Sequence, residues 1–243
     1  MWADDLRGIF YIALKDLRAY YLKPPNLSWG VMFPFAFVLA FAIRSPGELS
    51  LLVPGLLGLT LLFGTSSMEA IVIVFERRTG ALERLLLAPI RLPALLAAKV
   101  VGGMVFGLLV TGLVLAIMLA VFGAMAVNWA VLVPAFLLSA AAFAALGAFV
   151  SVAVREVFEA QTLANFIRFP MMFLGGVFMP VEMLPPWLRV VARALPLTYS
   201  VEAIRQALAG APLSAAALDL AVLLSFATVL FILSTRILAR RLE

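Results

Sequence analysis

Six ionised side chains, Glu76, Arg77, Arg78, Glu83, Arg84 and Arg91, fall within sixteen residues of a chain in which only 13% of residues are charged. The run reads Glu76-Arg77-Arg78-Thr79-Gly80-Ala81-Leu82-Glu83-Arg84 and continues through Pro89 to Arg91, with long apolar stretches on both sides. These groups suit electrostatic docking, since no nucleophile–base pair stands among them. Gly80 can cap a short helix whose third residue is Glu83, an arrangement related to the capping box, and Thr79 is a competing cap one residue earlier. Leu82, Leu85 and Leu86 then share one face at i, i+3 and i+4 while Arg84 points elsewhere. Pro89 stops the helix within two turns. The pattern predicts a rod over residues 80–88 lying at the membrane face and gripped by a soluble partner through Glu76, Arg77, Arg78, Gly80, Leu82, Glu83, Arg84, Leu86 and Pro89. A basic loop that only sets topology is the alternative, and it needs neither this length nor this helical character.

A second polar set lies inside an apolar run. Gln161, Asn165 and Arg168 recur at i, i+4 and i+7, a stripe on one helix face, with Arg168 nine residues beyond Glu159. At about 1.5 Å per residue this puts the guanidinium roughly 13 Å deep. An arginine near the bilayer centre costs on the order of 2.5–3.5 kcal/mol on insertion scales, so it should face protein or water. A translocation path lined by Gln161, Asn165, Arg168 and Glu69 is one reading. A structural pair is the other, and Glu69, seven residues before Glu76, is the candidate partner.

What is missing narrows the chemistry. Histidine and cysteine are both absent, which removes the usual metal ligands, the usual general base, Ser–His peptidase chemistry and disulfides together. No metal site is expected. A phosphate-gripping Gly-x-x-x-x-Gly-Lys-Ser/Thr loop is lacking, because Lys15, Lys23 and Lys99 are followed by Asp, Pro and Val. Any ATP that drives this chain is expected to be bound, with Mg, in a separate subunit. The net charge of +5 reads as topology-setting, and no nucleic-acid partner is expected.

The elements that position these groups follow from composition. The 243 residues are 65% hydrophobic with mean hydropathy +1.14, against roughly 45–50% apolar residues in soluble domains. The chain therefore reads as a single all-α integral membrane domain, and no cleaved leader is expected at its start. About 20 apolar residues cross a bilayer, and six runs qualify: 27–43, 49–75, 94–122, 129–154, 160–180 and 213–236. Thirteen of the 18 lysines and arginines then fall on one side, against Arg44, Arg189, Arg193 and Arg205 on the other. The positive-inside rule places both termini in the cytoplasm of a cell inner membrane.

Ahead of the first span, Leu6, Phe10, Ala13/Leu14, Leu17 and Tyr21 recur at helical spacing with Asp5, Arg7, Lys15 and Arg18 between them. This predicts an interfacial amphipathic helix over residues 3–22 that serves as an anchor or as a lever on a cytoplasmic partner. Lys23-Pro24-Pro25-Asn26 breaks it. After the fifth span Gly175-Gly176 loosens the helix and Pro180 stops it. Residues 182–208 then carry Trp187, Val191 and Leu195 on one face, a break at Pro196, and Tyr199. An outer re-entrant helical hairpin is expected, with Gly176, Pro180, Trp187, Pro196 and Tyr199 as its gate residues.

Together these segments resemble the permease subunit of a bacterial or archaeal ABC exporter of the type-2 (type V fold) family. Glu76 to Leu86 with Ala88-Pro89, followed by Lys99, is similar to that family's E-R-x-x-G-T-L-E-x-L-L-x-x-P loop. Gly176 to Pro180, Leu184-Pro185 with Trp187-Leu188, and Pro196-Leu197-Thr198-Tyr199 with Ile204-Arg205 resemble its outer signature. The resemblance implies that residues 76–91 form a coupling helix seated in a groove of an ATPase subunit. It also implies two permeases, as copies or paralogues, with two ATPases, moving a hydrophobic or amphiphilic cargo such as a drug, lipid or glycan outward. Ala81 stands where the family often has threonine, and Arg168 where an apolar residue is expected. Two other readings are an ion-coupled carrier that relays through Arg168 and Glu69, and a non-transporting membrane assembly factor.

Overall fold

Unbroken apolar sequence leaves the backbone only one way to satisfy its polar groups in lipid, the helix, and helices dominate. The computed structural model describes residues 2–23, 32, 36, 49–88, 90–122 and 127–242. The span expected at 27–43 lies outside the described residues apart from Met32 and Ala36, as do the Pro24-Pro25 break and Pro89. Helix α1 covers Trp2–Asp16 and passes into a π-helical turn, Leu17–Tyr21. Then come α2 (Leu49–Arg78), α3 (Ala81–Leu86), α4 (Leu92–Phe122), α5 (Trp129–Ala153) and α6 (Val157–Leu174). A 3₁₀ turn at Val181–Met183 leads to α7 (Pro186–Arg193), α8 (Pro196–Leu208) and α9 (Leu213–Leu242).

Among the described residues four stretches are long and apolar enough to cross a membrane: Leu52–Arg78, Leu92–Ala120, Trp129–Ala153 and Leu213–Arg241. Helix α6 is not among them, because Gln161, Asn165 and Arg168 lower its hydropathy. It is also shorter than the expected 160–180. It ends at Leu174, where Gly175 is no longer helical and Gly176 takes φ +76°, a conformation that suits a residue without Cβ.

Helix α5 sits at the centre, packed on α2, α8 and α9. Its run Ser139-Ala140-Ala141-Ala142-Phe143-Ala144-Ala145 presents little side chain, so neighbouring backbones come close. At Gly147 a Cβ would stand 2.7 Å from the Ser66 carbonyl oxygen and 2.8 Å from the Glu69 Cβ. Helix α2 is accordingly interior, with 82% of its apolar window buried, whereas α9 buries 17% and turns most of its surface outward. Helix α8 enters the main core through Leu197, Val201, Ile204 and Ala207.

Candidate functional site

The charged insert begins inside α2, which carries Glu76, Arg77 and Arg78 in its last turn. Thr79 caps that end rather than the next helix, its hydroxyl donating to the carbonyls of Phe75 (3.1 Å) and Glu76 (3.3 Å). Gly80, at φ +69°, turns the chain into α3 with no side-chain cap, so the expected contribution of Glu83 to a capping box is absent. The turn requires glycine, because a left-handed residue with a Cβ costs roughly 1–2 kcal/mol.

Leu82 is 3% exposed and packs with Ile12 of α1 and Leu95 and Ala98 of α4, while Leu85 and Leu86 are half-buried beside it. The apolar flank of the rod is thus largely covered by its own chain, with Leu82 at its most buried point. Glu83, Arg84, Leu87 and Ala88 are the side chains left exposed.

Beneath the rod lies a quartet that the sequence analysis did not assemble. Lys99 of α4 donates to Asp16 Oδ2 (2.7 Å) and to Glu76, while Lys15 reaches Asp16 Oδ1 (2.8 Å) and Glu76 Oε1 (2.5 Å). Two lysines and two carboxylates so join α1, α2 and α4, with Lys99, Asp16 and Glu76 buried. Half-burial works against the Lys15 charge, but hydrogen bonds to Asp16 and Glu76 outweigh it and hold its pKa above the ordinary lysine value. Glu76 therefore faces inward and is not free to meet a partner. On α1 the buried side is Ile12, Ala13 and Asp16, continued by Tyr21 of the π-helical turn, whereas Leu6 and Phe10 of the expected apolar stripe are exposed.

Arg77 and Arg78 also turn toward their own chain. Arg77 Nη2 donates to the Val154 carbonyl at 2.6 Å, and Arg78 pairs with Glu156. Arg241 donates to Val154 (3.0 Å) and Ala153 (2.7 Å). The free carbonyls at the end of α5 are met by cations, as its dipole favours.

The expected Glu69–Arg168 pair does not form. Arg168, 1% exposed, donates to Ser67 Oγ (2.8 Å), the Ser66 carbonyl (3.2 Å) and Asn165 Oδ1 (3.4 Å), with its guanidinium 5.6 Å from the Phe63 ring centre. Gln161 Nε2 lies 3.5 Å from the same Asn165 oxygen, which joins the stripe. Glu69 accepts instead from the Tyr21 hydroxyl, and its Oε2 has no hydrogen-bond partner among the described residues. The two charges are kept apart because the side chain that meets Arg168, Ser67, lies two residues before Glu69 and so on the other side of α2.

At the opposite end, backbone carbonyls fasten the hairpin alongside one ion pair within α8, Arg205–Glu202 (2.6 Å). Arg205 donates to the Gly176 carbonyl (3.1 Å), Thr198 to Ala192 (2.6 Å) and Tyr199 to Arg193 (2.7 Å). Pro180 precedes the 3₁₀ turn, Pro196 opens α8 and is buried, and Trp187 is 69% exposed. Among the described residues no group of His, Cys, Asp and Glu could hold a metal ion.

A family profile described as "ABC-2 type transporter" matches residues 8–209. Nodulation protein J of Rhizobium meliloti (strain 1021) is 44% identical over 73 residues, 30% of this chain and 28% of the relative. Nodulation protein J of Rhizobium leguminosarum bv. viciae is 33% identical over 109 residues, 45% and 42% of the two chains. The inner membrane transport permease YadH of Escherichia coli (strain K12) is 26% identical over 159 residues, 65% and 62%. The chain thus spans less than two thirds of the length of the curated relatives it matches. A profile match across most of the chain, on a bundle of apolar helices, shows that this multi-pass membrane chain belongs to the ABC-2 type transporter family.

Proposed function

We propose that the chain is the membrane half of an ATP-driven exporter, with a soluble ATPase subunit gripping the face that carries α3. The observation that carries this reading is the block made by α1, α3 and the ends of α2 and α4. Leu82 and the Lys15/Asp16/Glu76/Lys99 quartet bind it together, while Glu83, Arg84 and Leu87 remain exposed. Force applied to α3 would move three helix ends together, and packed interfaces respond to such a push by switching between discrete arrangements. The fuller assembly is six spans in a cell inner membrane, both termini cytoplasmic, two permeases and two ATPases that bind ATP and Mg. The 182–208 hairpin gates the outer end, and the cargo is hydrophobic or amphiphilic. The relatives' names, which include an inner membrane transport permease, support this setting.

The test is Glu83→Arg in the complex with the ATPase. Glu83 is exposed, so Tm should hold while ATPase stimulation and transport fall together. Unchanged stimulation and transport would overturn the docking assignment, and transport persisting in vesicles without ATP would favour an ion-coupled carrier. Orientation has its own readout, since the chain has no native cysteine. In intact cells Arg84→Cys should resist a membrane-impermeant thiol reagent and Trp187→Cys should react.

A further inference from the structure

Beside α3, at the same end of the bundle, a cavity of about 330 Å³ is lined by Arg77, Leu82, Glu83, Leu86, Arg155, Leu238 and Arg241. Its walls come from the ends of α2 and α9, from Arg155 two residues beyond α5, and from α3. Three guanidinium groups face one carboxylate there, and among the described residues no ion pair neutralises Arg77, Arg155 or Arg241. Arg77 and Arg241 each spend donors on the α5 carbonyls. An arginine carries five N–H donors, so capacity remains on both, and Arg155 is exposed. Half-buried Leu86 supplies apolar surface next to the charges, with Leu82 and Leu238 buried behind it.

We propose that this groove binds the phosphodiester headgroup of an anionic phospholipid, with the proximal part of its acyl chains lying over Leu86. Basic cavities between membrane helices on the side where lysine and arginine gather are suited to such headgroups. Charge complementarity selects an anion, and the apolar leucine surface at the ends of membrane helices selects a lipid over a free ion.

The test follows the Tm of the full chain in neutral detergent, stripped of lipid and titrated with cardiolipin, phosphatidylcholine or inorganic phosphate. Cardiolipin should raise Tm saturably, and the other two should not. Arg155→Gln should weaken the apparent Kd for cardiolipin by roughly fivefold or more, the loss expected for one arginine at a membrane surface. Arg193→Gln, at the opposite end, should leave it unchanged. Equal shifts with phosphatidylcholine, a full shift with inorganic phosphate, or an unaltered Kd in Arg155→Gln would each overturn the proposal. So would an Arg155→Gln variant that keeps its lipid affinity but loosens the ATPase, since the groove would then receive an acidic protein side chain.

Discussion

Two buried cationic sites of this chain are built on opposite plans. Lys99 is 1% exposed and answered by two carboxylates from two other helices, so charge is balanced within a few ångströms. Arg168 is equally buried, but a serine hydroxyl, a backbone carbonyl, an amide and an aromatic face answer it. Where neighbouring ends must move as one body, opposite charges lock them, and removing one member strands the rest. Where a cation is met by neutral acceptors, its own removal strands nothing charged.

That difference sets an order of effects. Lys99→Met leaves Asp16 and Glu76 with Lys15 alone and should cost about 3–5 kcal/mol, as breaking a buried pair does, seen as a large fall in Tm in detergent. Removing the Lys15–Glu76 arm as a pair, Lys15→Met with Glu76→Gln, should cost less than the sum of the two singles, with a coupling of about 0.5–3 kcal/mol. Strict additivity would dissolve the quartet as a unit. Tyr21→Phe deprives the buried Glu69 carboxyl of its side-chain donor and should cost about 1–3 kcal/mol. Gly147→Ala pushes a Cβ against Ser66 and Glu69, and overpacking of that kind costs typically about 1–3 kcal/mol. Arg168→Met should change Tm least, or raise it, because an apolar side chain replaces a cation that has no carboxylate partner. A fall in Tm as large as that of Lys99→Met would erase the contrast.

The helices are legible in sequence because each long apolar run admits one backbone solution. The Gln161/Asn165/Arg168 stripe is legible because helical spacing puts it on one face. Partners are another matter. Asp16 and Lys99 are 83 residues apart, and no local pattern announces their meeting; the only signal is a lone lysine near the start of an apolar run. Glu69 looks like the natural partner for Arg168 by charge, yet the geometry of α2 gives the arginine two serines instead. The Leu82 stripe shows that α3 has an apolar side without showing that α1 and α4 cover it. An amphipathic pattern states that a face will be buried and leaves open by what.

The quartet also orders how the chain can be made. Asp16 and Glu76 emerge from the ribosome well before Lys99, so for that interval two negative groups share a single ammonium. Only when the segment bearing Lys99 arrives can α1 be clasped against both α2 and α4, so its seating waits on a residue 83 positions further along the chain.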